Sequence, residues 1–177
     1  MKFPSLLLNV VALFALHAGT VLAAPQDGFS LNAGLTRHNT DNQCASCGLY
    51  SSSGLSLGLD YQVAISETLS ISPFFMTSAE STNVPRVVSG HGILGAQLRY
   101  WSGDMFFGGH LGSYSEVLTT GGVSISGSGG GAGLVAGWEK PKDGLYLMGQ
   151  LDSAKVQGSG VDTKLTAFRF SVGYRWK

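Results

Sequence analysis

Apolar and polar residues alternate along most of the chain. Phe29, Leu31, Ala33 and Leu35 are interleaved with Ser30, Asn32, Gly34 and Thr36, and Leu55, Leu57, Leu59, Tyr61 and Val63 with Ser56, Gly58, Asp60 and Gln62. A period of two places each set on its own face of a strand. The pattern returns over 69–76, 91–101, 105–116, 131–139, 145–156 and 164–176, so eight strands are predicted. Most are close to the roughly 9–11 residues that a tilted strand needs to cross a bilayer. Pro73 falls inside the third strand, where it removes a ladder hydrogen bond and predicts a bulge or an early end.

The links between these segments alternate too. Short ones lie at 66–68, 102–104 and 141–144; long polar or glycine-rich ones lie at 39–48, 77–90, 119–130 and 157–163. Short and long links in strict order suit an antiparallel up-and-down barrel with both chain ends on one side. Outer-membrane barrels have short periplasmic turns and longer outer loops. A soluble lipocalin-like barrel also has eight strands, but with an apolar inside. The lipocalin Gly-x-Trp signature is missing from the first strand. One face carries charges of both signs, and the other carries Tyr61, Tyr100, Trp101 (off the strict register), Trp138, Tyr174 and Trp176 near strand ends, as an interfacial girdle does. The fold class expected is therefore all-β: an eight-stranded antiparallel up-and-down transmembrane barrel.

Composition supports that choice. Charged residues are 12% of the chain, against about 25% in ordinary soluble domains. Glycine is 26 of 177 residues and the net charge is zero, so no basic face advertises nucleic acid. The first residues have a separate role. Lys2 precedes an apolar run from Leu6 to Leu16, and Val21-Leu22-Ala23 offers small residues at cleavage positions. This reads as a secretory signal peptide over 1–23, leaving 24–177 as one barrel domain.

The last segment, Phe168-Arg169-Phe170-Ser171-Val172-Gly173-Tyr174-Arg175-Trp176, alternates aromatics almost to the end. It resembles the C-terminal strand that outer-membrane barrels present to their assembly machinery. With the strand count and leader, the mature chain resembles the small eight-stranded outer-membrane proteins of the OmpX, opacity-protein and OmpA-membrane-domain type. It departs from them in ending on Lys177, with the terminal aromatic one place early at Trp176. The resemblance implies a monomer in the bacterial outer membrane, with outer-membrane lipid, lipopolysaccharide and the barrel assembly machinery as partners.

Eight strands leave an interior just wide enough for side chains to fill. Phe74, Phe106, Tyr114 and Tyr146 fall on the inward register, as do Asp60, Arg99, Glu139, Asp152, Arg169 and Arg175, which are expected to form an interior ion-pair network. Asp60, Arg99, Glu139 and Arg175 lie near the periplasmic strand ends and could form one cluster. His110 reads as an inward, hydrogen-bonded residue.

The two cysteines, Cys44 and Cys47, stand two apart in the first outer link. Export places them in an oxidising compartment, so a small disulfide staple is expected. A redox pair would need a helix N-terminus, and none is in sight. His38 and His91 also face inward at the outer end, and with the cysteines they offer zinc-type ligands. Strands one and four lie on opposite walls, however, so the histidines are expected to be separate polar rim residues and no metal is assigned. No nucleotide, calcium or metal-hydrolase motif is present, and no cofactor is expected.

Three functions fit. The first is a non-enzymatic barrel with a structural or surface-interaction role through its outer loops. The second is a lipid A-modifying acyl hydrolase or transferase, for which Ser89 and His91 share a strand face and Glu80 or Glu116 could orient the histidine. The resembling deacylase pattern is His-x-Ser rather than Ser-x-His, and it faces lipid. The third is a narrow channel, which a filled interior disfavours. The reading adopted is the first, not an enzyme.

Overall fold

A computed structural model describes residues 25–42, 50–140, 143–158 and 161–176. Every element among them is a strand: β1 (Gly28–Asn42), β2 (Tyr50–Ala64), β3 (Leu69–Thr82), β4 (Val87–Ser102), β5 (Met105–Thr120), β6 (Val123–Glu139), β7 (Leu145–Gly158) and β8 (Val161–Trp176). Each pairs antiparallel with the next, and β8 returns to β1, closing the barrel. The expected fold class is the one observed. We call the end where β1 begins and β8 finishes the near end, and the opposite one the far end.

The register sets the barrel's dimensions. Stepping from partner to partner runs Ser30, Asp60, Phe74, Gly95, Gly112, Gly131, Ala154, Leu165 and then Thr40. One circuit thus advances from Ser30 to Thr40 on β1. With ordinary strand rise and spacing, that stagger tilts the strands by about 40° and gives a backbone radius of about 8 Å. Opposite walls are then within reach of two side chains.

The two faces separate as the alternation requires. Leu35, Leu55, Leu94, Leu111 and Leu134, from five strands, are 64–70% exposed on the outside. A continuous apolar band of this kind is not a surface that water tolerates. Aromatics ring its near edge: Phe29 stacks on Trp176 at 6.0 Å between centroids, Tyr174 meets Trp176 at 5.1 Å, and Tyr100 meets Phe107 at 5.1 Å. Trp101 departs from its expected place in that girdle. It is buried in the lumen against Phe106, and its indole N–H donates to Ser70 Oγ at 2.9 Å. The indole N–H needs a partner when buried, and Ser70 supplies it.

Two further expectations are corrected. Pro73 causes neither a bulge nor an early end. It pairs with Ala96, β3 runs on to Thr82, and the β2–β3 register resumes unshifted between Asp60↔Phe74 and Val63↔Ile71. The lost donor is absorbed by that gap in the ladder alone. The long links also shrink. The stretch 77–90 is mostly strand, leaving the turn 83–86, and 119–130 reduces to Gly121-Gly122. Both glycines have positive φ, 57° and 86°, as a two-residue type I′ hairpin requires. The third, 157–163, reduces to residues 159–160, and in the first, 39–48, β1 runs on to Asn42. These strands rise beyond the apolar band, where Ser53, Ser81, Ser115 and Ser128 replace leucine on the outside. The polar face then lost its apolar contrast, although the ladder continues.

Inside, aromatic rings lie over glycines of the facing strand. Tyr146 opposes Gly173 and Phe106 opposes Gly137 in the register. A Cβ on Gly173 would meet Tyr146 Cζ at 2.2 Å and its hydroxyl at 2.5 Å. The missing side chain is what lets the ring lie flat on the wall. Gly173→Ala is expected to destabilise the barrel by about 1–3 kcal/mol in urea titration, the usual cost of overpacking. Adding Tyr146→Leu should recover part of that loss, because the two sites share one volume.

Candidate functional site

The lumen carries its polar side chains in three groups along the axis. The near-end group is built on Asp60 of β2. Its Oδ2 accepts from Arg99 Nη2 at 3.2 Å and its Oδ1 from Arg175 Nη1 at 3.3 Å. Arg175 Nε also donates to both Glu139 oxygens at 3.2 Å, and Arg99 Nη1 to Gln62 Oε1 at 2.9 Å. The guanidiniums lie over the Phe106 and Tyr146 rings, at 5.0 and 5.6 Å. Both arginines and both carboxylates are buried. Asp60, Arg99, Glu139 and Arg175 thus meet in one cluster.

Asp152 and Arg169 belong to a second group, at mid-barrel. Arg169 Nη1 donates to Asp152 Oδ2. The other oxygen, Oδ1, accepts from His110 Nε2 at 2.7 Å, Gln150 Nε2 at 2.9 Å and the Tyr114 hydroxyl at 3.0 Å. A buried carboxylate needs such a shell, since an unpaired one is costly. His110 is a member of it.

The far-end group is where structure and sequence expectation part. His38 and His91 are not separate rim residues. Both are buried, and their rings stack at 3.9 Å with 16° between planes. Glu80 joins them: Oε2 lies 2.6 Å from His38 Nδ1 and Oε1 3.1 Å from His91 Nδ1. Ser52 also donates to Glu80 Oε2, and Ser78 to Oε1 at 2.5 Å. His91 Nε2 stands 3.4 Å from Glu116 Oε1. A barrel of about 8 Å radius lets side chains from β1 and β4 meet in the middle, which the picture of opposite walls overlooked. His38, Glu80, His91 and Glu116 all sit on the inward parity in the far third of their strands, but the expected third strand ended at 76 and left Glu80 in a link.

The two groups are linked. Arg169 Nη2 donates to His38 Nε2 at 2.9 Å. Guanidinium is donor-only, so Nε2 accepts and the His38 proton sits on Nδ1, aimed at Glu80. Ser89 and His91 share the inward face, as expected, and both are buried. Yet Ser89 Oγ has no hydrogen-bond partner among the described residues, and His91 Nδ1 is engaged by Glu80. Cys44 and Cys47 lie outside the described residues.

Asp60 holds two guanidiniums, so its removal leaves buried charge uncompensated. Asp60→Asn is expected to cost about 3–5 kcal/mol in urea unfolding from detergent or vesicles. Exposed Asp143→Asn, whose partner is Lys140 in a turn, should leave the urea midpoint almost unchanged.

No protein-family model matches the chain, and no curated protein matches it in sequence. Solved structures do match in fold. The chain is similar to Ail, the attachment invasion locus protein of Yersinia pestis, with 15% identity and a TM-score of 0.57 over 85% of this chain and 100% of that one. It is similar to Neisserial surface protein A, with 13% identity and a TM-score of 0.60 over 84% and 97%. Ail has also been solved in complex with the heparin analogue sucrose octasulfate, a structure that matches with a TM-score of 0.55 at 15% identity over 86% and 100%. The chain has the fold of these small eight-stranded outer-membrane barrels.

Proposed function

We propose that this chain is an integral barrel of the bacterial outer membrane that acts without catalysis, through the surface its far end presents outside the cell. The observation that carries this reading is the inversion of its faces: leucines outside, arginines and carboxylates inside. Lipid is the solvent in which that arrangement is stable, since a closed barrel exposes no sheet edge of unpaired backbone groups. Among the described residues the far end is a crown of strands standing above the apolar band. On its outer face Arg37, Lys155 and Lys164 are exposed, with Lys155 and Lys164 opposite one another. Such residues suit anionic sugars or headgroups, in keeping with the sulfated sugar held by Ail.

The same reading includes a signal peptide over 1–23, a Cys44–Cys47 disulfide, a monomer, and recognition of the C-terminal strand by the assembly machinery. The acyl hydrolase reading gains no support. Ser89 and His91 point into the lumen, while acyl chains lie outside the wall, and the Ser–His hydrogen bond that activates a nucleophile is missing. A channel is disfavoured by the three cross-lumen groups.

Two measurements test this. Lipid A mass spectra of cells with and without the protein are expected to coincide, and planar-bilayer recordings to show no discrete steps. An acyl chain lost or gained would make the protein an enzyme; regular unitary conductance would make it a channel.

A further inference from the structure

We propose that His38, Glu80 and His91 form a binding site for a first-row transition cation of the zinc class, beneath the far mouth of the barrel. One nitrogen of each ring and one carboxylate oxygen lie within 4.8 Å of one another, and all three residues are buried. Around a tetrahedral zinc with bonds of about 2.0–2.2 Å, neighbouring ligand atoms stand about 3.3 Å apart. Two of the separations, 2.6 Å from Glu80 Oε2 to His38 Nδ1 and 3.1 Å from Oε1 to His91 Nδ1, are shorter than that value, so the ligand atoms need only part slightly around the ion. Imidazole and carboxylate together suit zinc, cobalt and nickel better than calcium or magnesium.

The surroundings are those a metal site uses. Ser52 and Ser78 orient the carboxylate. Glu116 lies behind His91 at Nε2, the nitrogen that would not ligate, as in a carboxylate–histidine–metal relay. The ligands come from β1, β3 and β4, so the barrel wall holds them in place. A cavity of about 510 Å³, lined by Ser53, Gly54, Leu55, Ser89 and Thr119 among others, opens on the wall beside Glu80, whose carboxylate is itself fully buried. Glu80 and Glu116 supply two negative charges, and the nearby Arg169 is already paired with Asp152.

Binding has two local consequences: the stacked His38 and His91 rings, 16° apart between planes, must tilt so that both in-plane lone pairs reach one ion, and a proton must move. For His38 to ligate through Nδ1, its proton must move to Nε2, which now accepts from Arg169 Nη2. That contact opposes the metal and must open, while the bond from Arg169 Nη1 to Asp152 can stay. The proposal stands apart from the surface role and does not rest on it.

The test uses the mature chain folded in detergent, carrying Cys44→Ser and Cys47→Ser so that loop thiols cannot contribute. Calorimetric titration with zinc chloride is expected to give one equivalent bound, and Co²⁺ to give visible d–d bands. His91→Ala and Glu80→Gln, with the β-sheet circular dichroism retained, should each weaken zinc by at least tenfold; His110→Gln should not. If either ligand variant fails to fold, Glu116→Gln serves instead, with a loss of about 10–100-fold. Arg169→Gln should tighten binding, because it removes the donor facing His38. No zinc uptake by the cysteine-free chain, or uptake unchanged in the ligand or Glu116 variants, would overturn the site. Unchanged affinity in Arg169→Gln would remove His38 and with it the three-ligand assignment.

Discussion

Closure of the backbone ladder is the constraint from which the rest follows. In a bilayer each strand's N–H and C=O groups must find partners, and only a sheet with no edge provides them all. Here β8 closes on β1 over fourteen paired positions, from Phe29↔Trp176 to Asn42↔Thr163. Closing on only eight strands sets the backbone radius at about 8 Å and leaves a narrow lumen. Within that space polar side chains cannot be solvated individually. They must satisfy one another across the axis, and the three groups built on Asp60, Asp152 and Glu80 are the result.

Narrowness also explains the glycines. An inward ring as large as Tyr146 or Phe106 fits only where the facing residue has no side chain, and Gly173 and Gly137 provide that. Burying arginine and carboxylate pairs is weak evidence for stability on its own, since desolvation offsets much of the attraction. Their value is in specification. With Asp60 fixed between Arg99 and Arg175, a one-residue slip of β2 would turn it to lipid, strip Arg99 of its carboxylate and leave Arg175 with Glu139 alone.

Much of this was legible in the sequence, because a period of two survives any uncertainty in strand ends. The strand count, the inward set and the near-end cluster all follow from parity. What escaped did so for physical reasons. Trp101 shares the inward parity of Arg99, and only its place where β4 reaches the interface favoured the girdle; the contact with Ser70 agrees with the parity. The crown of far strands was hidden because, above lipid, Ser, Thr and Gly occupy both faces. The Glu80 group was hidden because parity tells which way a residue points and not how far the opposite wall is. That distance needs the stagger, which only the register supplies. Pro73 looked like a break because the sequence does not say how many neighbouring pairs share the cost.

The central claim is that the leucine face meets lipid. The most direct measurement is reversible unfolding from vesicles of Leu134→Arg, in the outward apolar band of β6 and 66% exposed. An arginine near the bilayer midplane costs about 2–4 kcal/mol. The account expects a loss of that size, and almost none for Ser128→Arg in the crown of the same strand. A Leu134→Arg protein as stable as its parent, and soluble without detergent, would contradict it.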